Sequence, residues 1–164
     1  MKYWSSFFVF LFIFCLSASA KGIQTESRFA PDFDLPARDG SVSLNSLRGK
    51  VVLIDFWASW CDPCRQSFPW MSKLHETYSS QGLVIVAVNL DKKRELANDF
   101  LAEFSPPFIV AFDPSGKAAE AFDVSAMPSS YLVNRNGTIL VSHAGFDSKK
   151  TGEMEDLIKE ALSQ

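Results

Sequence analysis

Cysteine and histidine are both scarce in this chain: three cysteines and two histidines in 164 residues. A structural zinc site needs four ligands, usually two C-x-x-C pairs or one pair with added histidines. Neither His75 nor His143 has a metal-ligand partner at motif spacing, so the pattern supports no metal. The formal net charge is only −3, with no basic cluster and no interleaved aromatic stripe. Nucleic acid is therefore not an expected partner. Internal repeats, low-complexity stretches and interdomain linkers are absent as well, which leaves one domain. The apolar run Phe7 to Leu16 is short for a membrane span, which takes ~20 apolar residues.

That run has another reading. With Lys2 ahead of it and Ala18-Ser19-Ala20 behind, it has the form of a signal peptide. Residues 1–20 are therefore expected to be a leader and residues 21–164 the domain, exported and periplasmic if the source is bacterial. An uncleaved segment holding the protein to the membrane is the alternative. Cys15 follows bulky Phe12-Ile13-Phe14 and reads as an ordinary residue of the run rather than a lipid-attachment site. Removing 20 of the 164 residues leaves 144, enough for one domain with a real core. Without Lys2 the chain has fifteen basic and nineteen acidic side chains, a net charge near −4.

Exported chains usually carry cysteines as a disulfide framework. Here the domain keeps two, Cys61 and Cys64, enclosing only Asp62 and Pro63. So short a loop adds little stability through chain entropy. The pair follows the run Val51-Val-Leu-Ile-Asp-Phe-Trp-Ala-Ser-Trp60 at a strand-to-helix junction. If a helix begins at Cys61, both sulfurs fall on its first turn and on one face. Unpaired N–H groups there favour a thiolate, the form that attacks disulfides. The combination reads as a redox centre.

The remaining pattern alternates strands and helices. An Asp39-Gly40 turn predicts a hairpin from Phe33 to Leu44, followed by a short turn over 45–49. Val51 to Ala58 has the continuous apolar character of a central strand. A helix is predicted from Cys61 to about Ser80, closed by Gly82. Leu83 to Asn89 is a second buried strand. Asp91 is placed as cap of the next helix, with Leu96, Phe100, Leu101 and Phe104 as its apolar stripe. Phe108 to Phe112 reads as a strand and Gly116 to Phe122 as a short helix. A strand to Val133 then turns at Asn136-Gly137 into Thr138 to His143. The last helix starts near Thr151 and buries Met154, Leu157, Ile158, Ala161 and Leu162. Asn136-Gly137-Thr138 also matches a glycosylation sequon, but a tight turn explains it more simply. Alternating elements with a final antiparallel hairpin predict an α/β sandwich on a mixed sheet.

Val-Leu-Ile-Asp55-Phe-Trp-Ala-Ser-Trp60-Cys61-Asp-Pro-Cys64 closely resembles the active-site strand and loop of the thioredoxin superfamily. Pro69 matches its helix-kinking proline, and Met127-Pro128 its cis-proline. Phe29-Ala-Pro31-Asp-Phe33 with the following hairpin, and the extra helix and strand between Asp91 and Phe112, are similar to the exported TlpA/ResA-like thiol–disulfide oxidoreductases. The resemblance implies a thioredoxin-like three-layer α/β/α sandwich with an N-terminal hairpin and an inserted α-β element. It implies Cys61 as an exposed nucleophile, Cys64 as the buried resolving thiol, and Asp55 as the carboxylate that shuttles the proton of Cys64. A charged residue inside so apolar a strand independently calls for a shifted pKa or a hydrogen bond; an Asp leaning to solvent at the strand end is the lesser alternative. Pro128, trans by default, is expected cis, holding Met127 against substrate; Met127 as a simple core residue is equally open. Trp57 is explained by burial, whereas Trp60 is placed on the rim with Asp62 and Pro63. Asp62 opposes a thiolate while the helix terminus favours it.

The implied activity is reduction of disulfides in exported proteins, with apocytochrome c in cytochrome c maturation as one candidate. The only cofactor is the redox-active disulfide itself, a membrane thiol-transfer protein is the expected electron donor, and a monomer is expected. Rival readings are a disulfide oxidase or isomerase running the same exchange at higher potential, and a peptide-binding chaperone. A peroxiredoxin-type peroxidase is a third, although Trp57-Ala-Ser-Trp stands where that family has Pro-x-x-x-Thr-x-x.

Overall fold

A strand with two apolar faces must lie inside a sheet that is covered on both sides. Val51–Trp57 is such a strand, and all seven of its residues are buried. The computed structural model describes residues 24–164; the expected leader and Cys15 lie outside them. In chain order come β1 (Gln24–Phe29), β2 (Asp34–Pro36), β3 (Ser41–Ser43), β4 (Val51–Trp57), α1 (Asp62–Tyr78), β5 (Leu83–Asn89), α2 (Arg94–Phe104), β6 (Ile109–Phe112), α3 (Lys117–Ala121), β7 (Ser129–Val133), β8 (Thr138–Ala144) and α4 (Thr151–Ser163). Six strands form one mixed sheet in the order β1-β8-β7-β4-β5-β6. β4, β5 and β6 run parallel, and β7, β8 and β1 alternate in direction.

The pleat of β4 assigns its side chains to two cores. Val51, Leu53 and Trp57 face a cluster completed by Phe68 and Met71 of α1, Phe100 of α2 and Ile158 of α4. Val52, Ile54 and Phe56 face the other cluster, with Val42, Phe122 and Tyr131. Three helices thus cover one face. The other has only five-residue α3 and the β2–β3 hairpin, so the third layer is slight. The hairpin also guards an edge: Arg38 N donates to Val110 O of β6 at 2.9 Å. Gly40 at its turn has φ +85°, a conformation that costs any residue with a Cβ.

Two expectations need correction, and one strand was not anticipated. Asp91 does not cap α2, which starts at Arg94 with no side-chain cap among the described residues; the Asp91 carboxylate is engaged elsewhere. Leu96 is 47% exposed, and Ala97 takes its place in the buried stripe with Phe100 and Leu101. Ala97, Phe100 and Leu101 recur at the three- and four-residue spacing of one helix face. Finally, Gln24–Phe29 pairs with β8 as a strand that its polar sequence does not announce.

Phe68 is the hub of the α1-side core, its ring 4.8 Å from Trp57, 4.8 Å from Phe100, 5.7 Å from Phe104 and 5.6 Å from Phe108. Replacing it with alanine should cost about 3–5 kcal/mol. Equilibrium denaturation of the Phe68→Ala protein measures this directly.

Candidate active site

β4 leaves the sheet at Trp57, and the chain crosses Ala58-Ser59-Trp60 before α1 begins. Cys61 is the N-cap of that helix and Cys64 lies in its first turn. Proline suits this turn because the first helical residues have no partner for an N–H. The two sulfurs form a disulfide, with S–S 2.02 Å and Cα–Cα 5.3 Å. Cys64 N donates to Cys61 Sγ at 3.2 Å, so the helix terminus already directs an N–H at that sulfur. Cys64 is fully buried. Cys61 is only 4% exposed, less open than expected of the outer sulfur, because both sulfurs belong to the α1-side core in this disulfide form.

The other candidates divide by exposure. Trp60 is 69% exposed, and Asp62 and Pro63 are exposed beside it, forming a rim. Trp57 is fully buried, with its indole N–H unpartnered among the described residues. Met127 is half-buried against the cluster that holds both cysteines, and Pro128 is buried. The Met127–Pro128 bond is cis. Pro128 O accepts from Gly145 N at 2.7 Å, fixing the entry to β7 against the end of β8.

Asp55 is buried in mid-β4. The two-residue period puts it on the same face as Leu53 and Trp57, towards α1 and Cys64. Ser130 of β7, directly opposite in register, donates its hydroxyl to Oδ2 at 2.6 Å. Oδ1 is buried with no hydrogen-bond partner among the described residues. Burial pushes the carboxyl up from 3.8 to about 7, against the opposing pull of the Ser130 hydrogen bond. An acid poised there can take and release a proton near neutrality.

A second buried acid holds the loop before Cys61. Asp91 accepts from Ser59 N at 2.9 Å, from Ser59 Oγ at 3.0 Å and from Asn89 Nδ2 at 2.7 Å. Its own N–H donates to Asn89 Oδ1 at 3.1 Å. Trp57 and Asn89 are register partners, so this knot ties the C-terminal ends of β4 and β5 to the loop that delivers Cys61. On the far side, Arg65 of α1 pairs with Glu103 of α2 and lies 5.2 Å above the rings of both Phe100 and Phe104. Ser59, Asn89 and Ser130 were not singled out from sequence, and Asp91 was read there only as a helix cap. The only local signal was polarity in apolar surroundings, as in Ser129-Ser130 opening an otherwise apolar strand.

The chain matches the Redoxin family over residues 24–158. It is a member of that family. Among curated relatives, the thiol-disulfide oxidoreductase ResA of Bacillus subtilis is 34% identical over 117 residues, 71% of this chain and 65% of that protein. ResA of Oceanobacillus iheyensis is 36% identical, with 67% and 60% covered, so the chain spans slightly less than two thirds of both. The thioredoxin-like protein YneN of Bacillus subtilis is 38% identical over 82% of this chain and 78% of its own. Among solved structures, a candidate thiol:disulfide interchange protein DsbE from Chlorobium tepidum superposes with TM-score 0.82 at 45% identity, covering 86% of this chain and 99% of that one. A candidate thioredoxin from Neisseria meningitidis gives 0.74 at 30% identity, covering 85% and 93%. The fold of this redoxin is thioredoxin-like.

Two outcomes follow. Because the Asp55 carboxyl is raised, the folded protein holds a proton that the unfolded chain has released between pH 3.8 and about 7. Stability from this group is full below that window and is lost as pH rises through it, by about 4 kcal/mol at the alkaline end. Asp55→Asn should flatten the loss, which is read from denaturation midpoints across pH. Asp91→Ala should cost about 2–3 kcal/mol by leaving buried donors unpaired. It should also speed amide hydrogen exchange at Ser59, where its N–H bond is lost.

Proposed function

We propose that this redoxin is a thiol–disulfide oxidoreductase that reduces disulfides in exported proteins, apocytochrome c being one candidate substrate. The observation that carries the reading is the Cys61–Cys64 disulfide at a helix N-terminus, with a buried carboxyl near neutral pKa facing the same core. In the reduced protein, the Cys61 thiolate attacks one sulfur of a substrate disulfide. A Cys61–substrate bond forms and the other substrate sulfur leaves as a thiolate. Cys64 loses its proton to Asp55 and attacks Cys61 Sγ. That closes the 61–64 disulfide and expels the second substrate thiolate. Two electrons pass from the cysteine pair to the substrate.

In this reading the exposed rim of Trp60, Asp62 and Pro63 meets the substrate, while Met127, ahead of Pro128, offers backbone hydrogen bonds beside the disulfide. The protein works outside the cytoplasm, as a monomer, and a membrane thiol-transfer protein recharges it. Its only redox group is the cysteine pair. The names of the ResA relatives support the activity. Among the described residues no helix is long and apolar enough to cross a membrane.

The test is a redox titration of the Cys61–Cys64 couple together with trapping by Cys64→Ser. Under the proposal the variant stops at a Cys61-linked mixed disulfide with exported proteins, and the couple lies at or below about −200 mV. A potential near about −120 mV, at the strong-oxidant end, overturns the reductase direction. Full turnover by Cys64→Ser overturns the two-cysteine cycle. Asp55→Asn should leave the first attack unchanged and slow resolution by about 100-fold near neutrality, the range for a positioned proton acceptor.

A further inference from the structure

A proton given to Asp55 has to leave before the next cycle, yet the carboxyl is completely buried. The sheet register shows where it can go. Asp55 pairs with Ser130 across β4 and β7, and Ser130 pairs with His143 across β7 and β8. Direct cross-strand partners share a face, with Cβ atoms about 4.5–5.5 Å apart. The three side chains therefore form one polar row beneath α1 and α4. Ser130 already bonds Asp55 at 2.6 Å. At the far end, Nδ1 of His143 is buried with no hydrogen-bond partner among the described residues.

Between them lies a pocket lined by Ser130, His143, Trp70, Lys150, Thr151 and Met154. It has about 20 Å³ accessible to water, room for a single molecule. Water in such a place bridges polar groups too far apart for direct contact. The charged groups facing His143 are Glu153 of α4, Lys150 at the start of that helix and Asp147 of the loop before it. Asp55 lies two strands away in the row, and α1 contributes the indole of Trp70.

We propose that Ser130, a pocket water and His143 form a proton relay that connects Asp55 to solvent at the edge of α4. It rests on the reading of Asp55 as proton acceptor for Cys64. After Asp55 takes the thiol proton, the hydrogen bond to Ser130 reverses. Asp55 donates to Ser130 Oγ, which releases its own hydroxyl proton to the water, and the water protonates His143 Nδ1. The half-buried imidazolium then gives one proton to solvent. One proton leaves per 61–64 disulfide formed, no electrons move, and reduction of the disulfide runs the row in reverse. A hydroxyl suits the middle position because it donates and accepts at once. Burial, then the charge of Lys150, holds His143 below its ordinary pKa, with Glu153 and Asp147 opposing. That favours the neutral ring, whose Nδ1 accepts a proton in the tautomer that carries hydrogen on Nε2.

The test follows a chromogenic aromatic disulfide reacting with the fully reduced protein in dilute buffer. The first thiolate released reports attack by Cys61 and the second reports resolution by Cys64. His143→Ala should leave the first phase unchanged and slow the second by roughly tenfold, less than loss of a direct acid–base group. Added imidazole should restore it saturably. Ser130→Ala should slow the same phase without rescue, and His143→Gln, which keeps a polar side chain, should be as slow as the alanine variant. A second phase at the parent rate in His143→Gln across pH, or a slow His143→Ala that imidazole does not rescue, overturns the relay. Asp55→Asn separates the two levels. If it is slow while both His143 variants keep the parent rate, the relay fails and Asp55 stands. If its pH–rate profile matches the parent, the reading of Asp55 falls and takes the relay with it.

Discussion

The pleat of β4 governs this molecule. Its register against β5 and β7 sends Val51, Leu53, Asp55 and Trp57 to one face and Val52, Ile54 and Phe56 to the other. A slip of one residue would exchange the faces. Asp55 would then lie under the hairpin and α3, away from the helix that carries the cysteines. The aromatic packing around Trp57 and Phe68 resists such a slip, because the slip would withdraw the Trp57 ring from its contacts with Phe68 and Phe100. Core packing and site chemistry are thus set by the same strand.

Around that strand the protein uses burial in two opposite ways. Asp55 keeps one oxygen unpartnered among the described residues, desolvation dominates and its proton stays available near neutrality. Asp91, also buried, accepts three hydrogen bonds from Ser59 and Asn89. Those three bonds tie the end of β5 to the loop ahead of Cys61. One acid is therefore suited to moving protons and the other to holding a loop still. Both carboxylates lie within the reach of the β4–β5 pair, yet their hydrogen-bond partners separate their roles.

Much of this was legible because the signals are local. Continuous apolar runs announced β4 and β5, Asp39-Gly40 announced the hairpin, and the C-x-x-C after β4 announced the helix start. A carboxylate inside Val-Val-Leu-Ile-Asp-Phe-Trp demanded a partner or a shifted pKa, and the structure has both. What the chain did not reveal lies across strands. Ser130 is 75 residues from Asp55 and Ser59 is 32 from Asp91, so register alone brings them together. Asp91 has the chemistry of a helix cap, and only the competing donors of Ser59 and Asn89 draw it away. β1 shows no apolar alternation because its strand character comes from the backbone of β8.

That last strand has a consequence for how molecules of this protein meet one another. β8 is seven residues long and one edge of it is covered only by β1, six mostly polar residues at the margin of the sheet. An uncovered edge of that length is a template for strand pairing between molecules. The opposite edge, β6, is partly guarded by the hairpin through Arg38 and Ala37. A cut between Phe29 and Phe33 that released β1 would leave both cores and the cysteine pair in place. It would nevertheless bare the seven-residue edge of β8 in place of the six-residue edge of β1, and so offer a longer template for strand pairing between molecules, far from the chemistry.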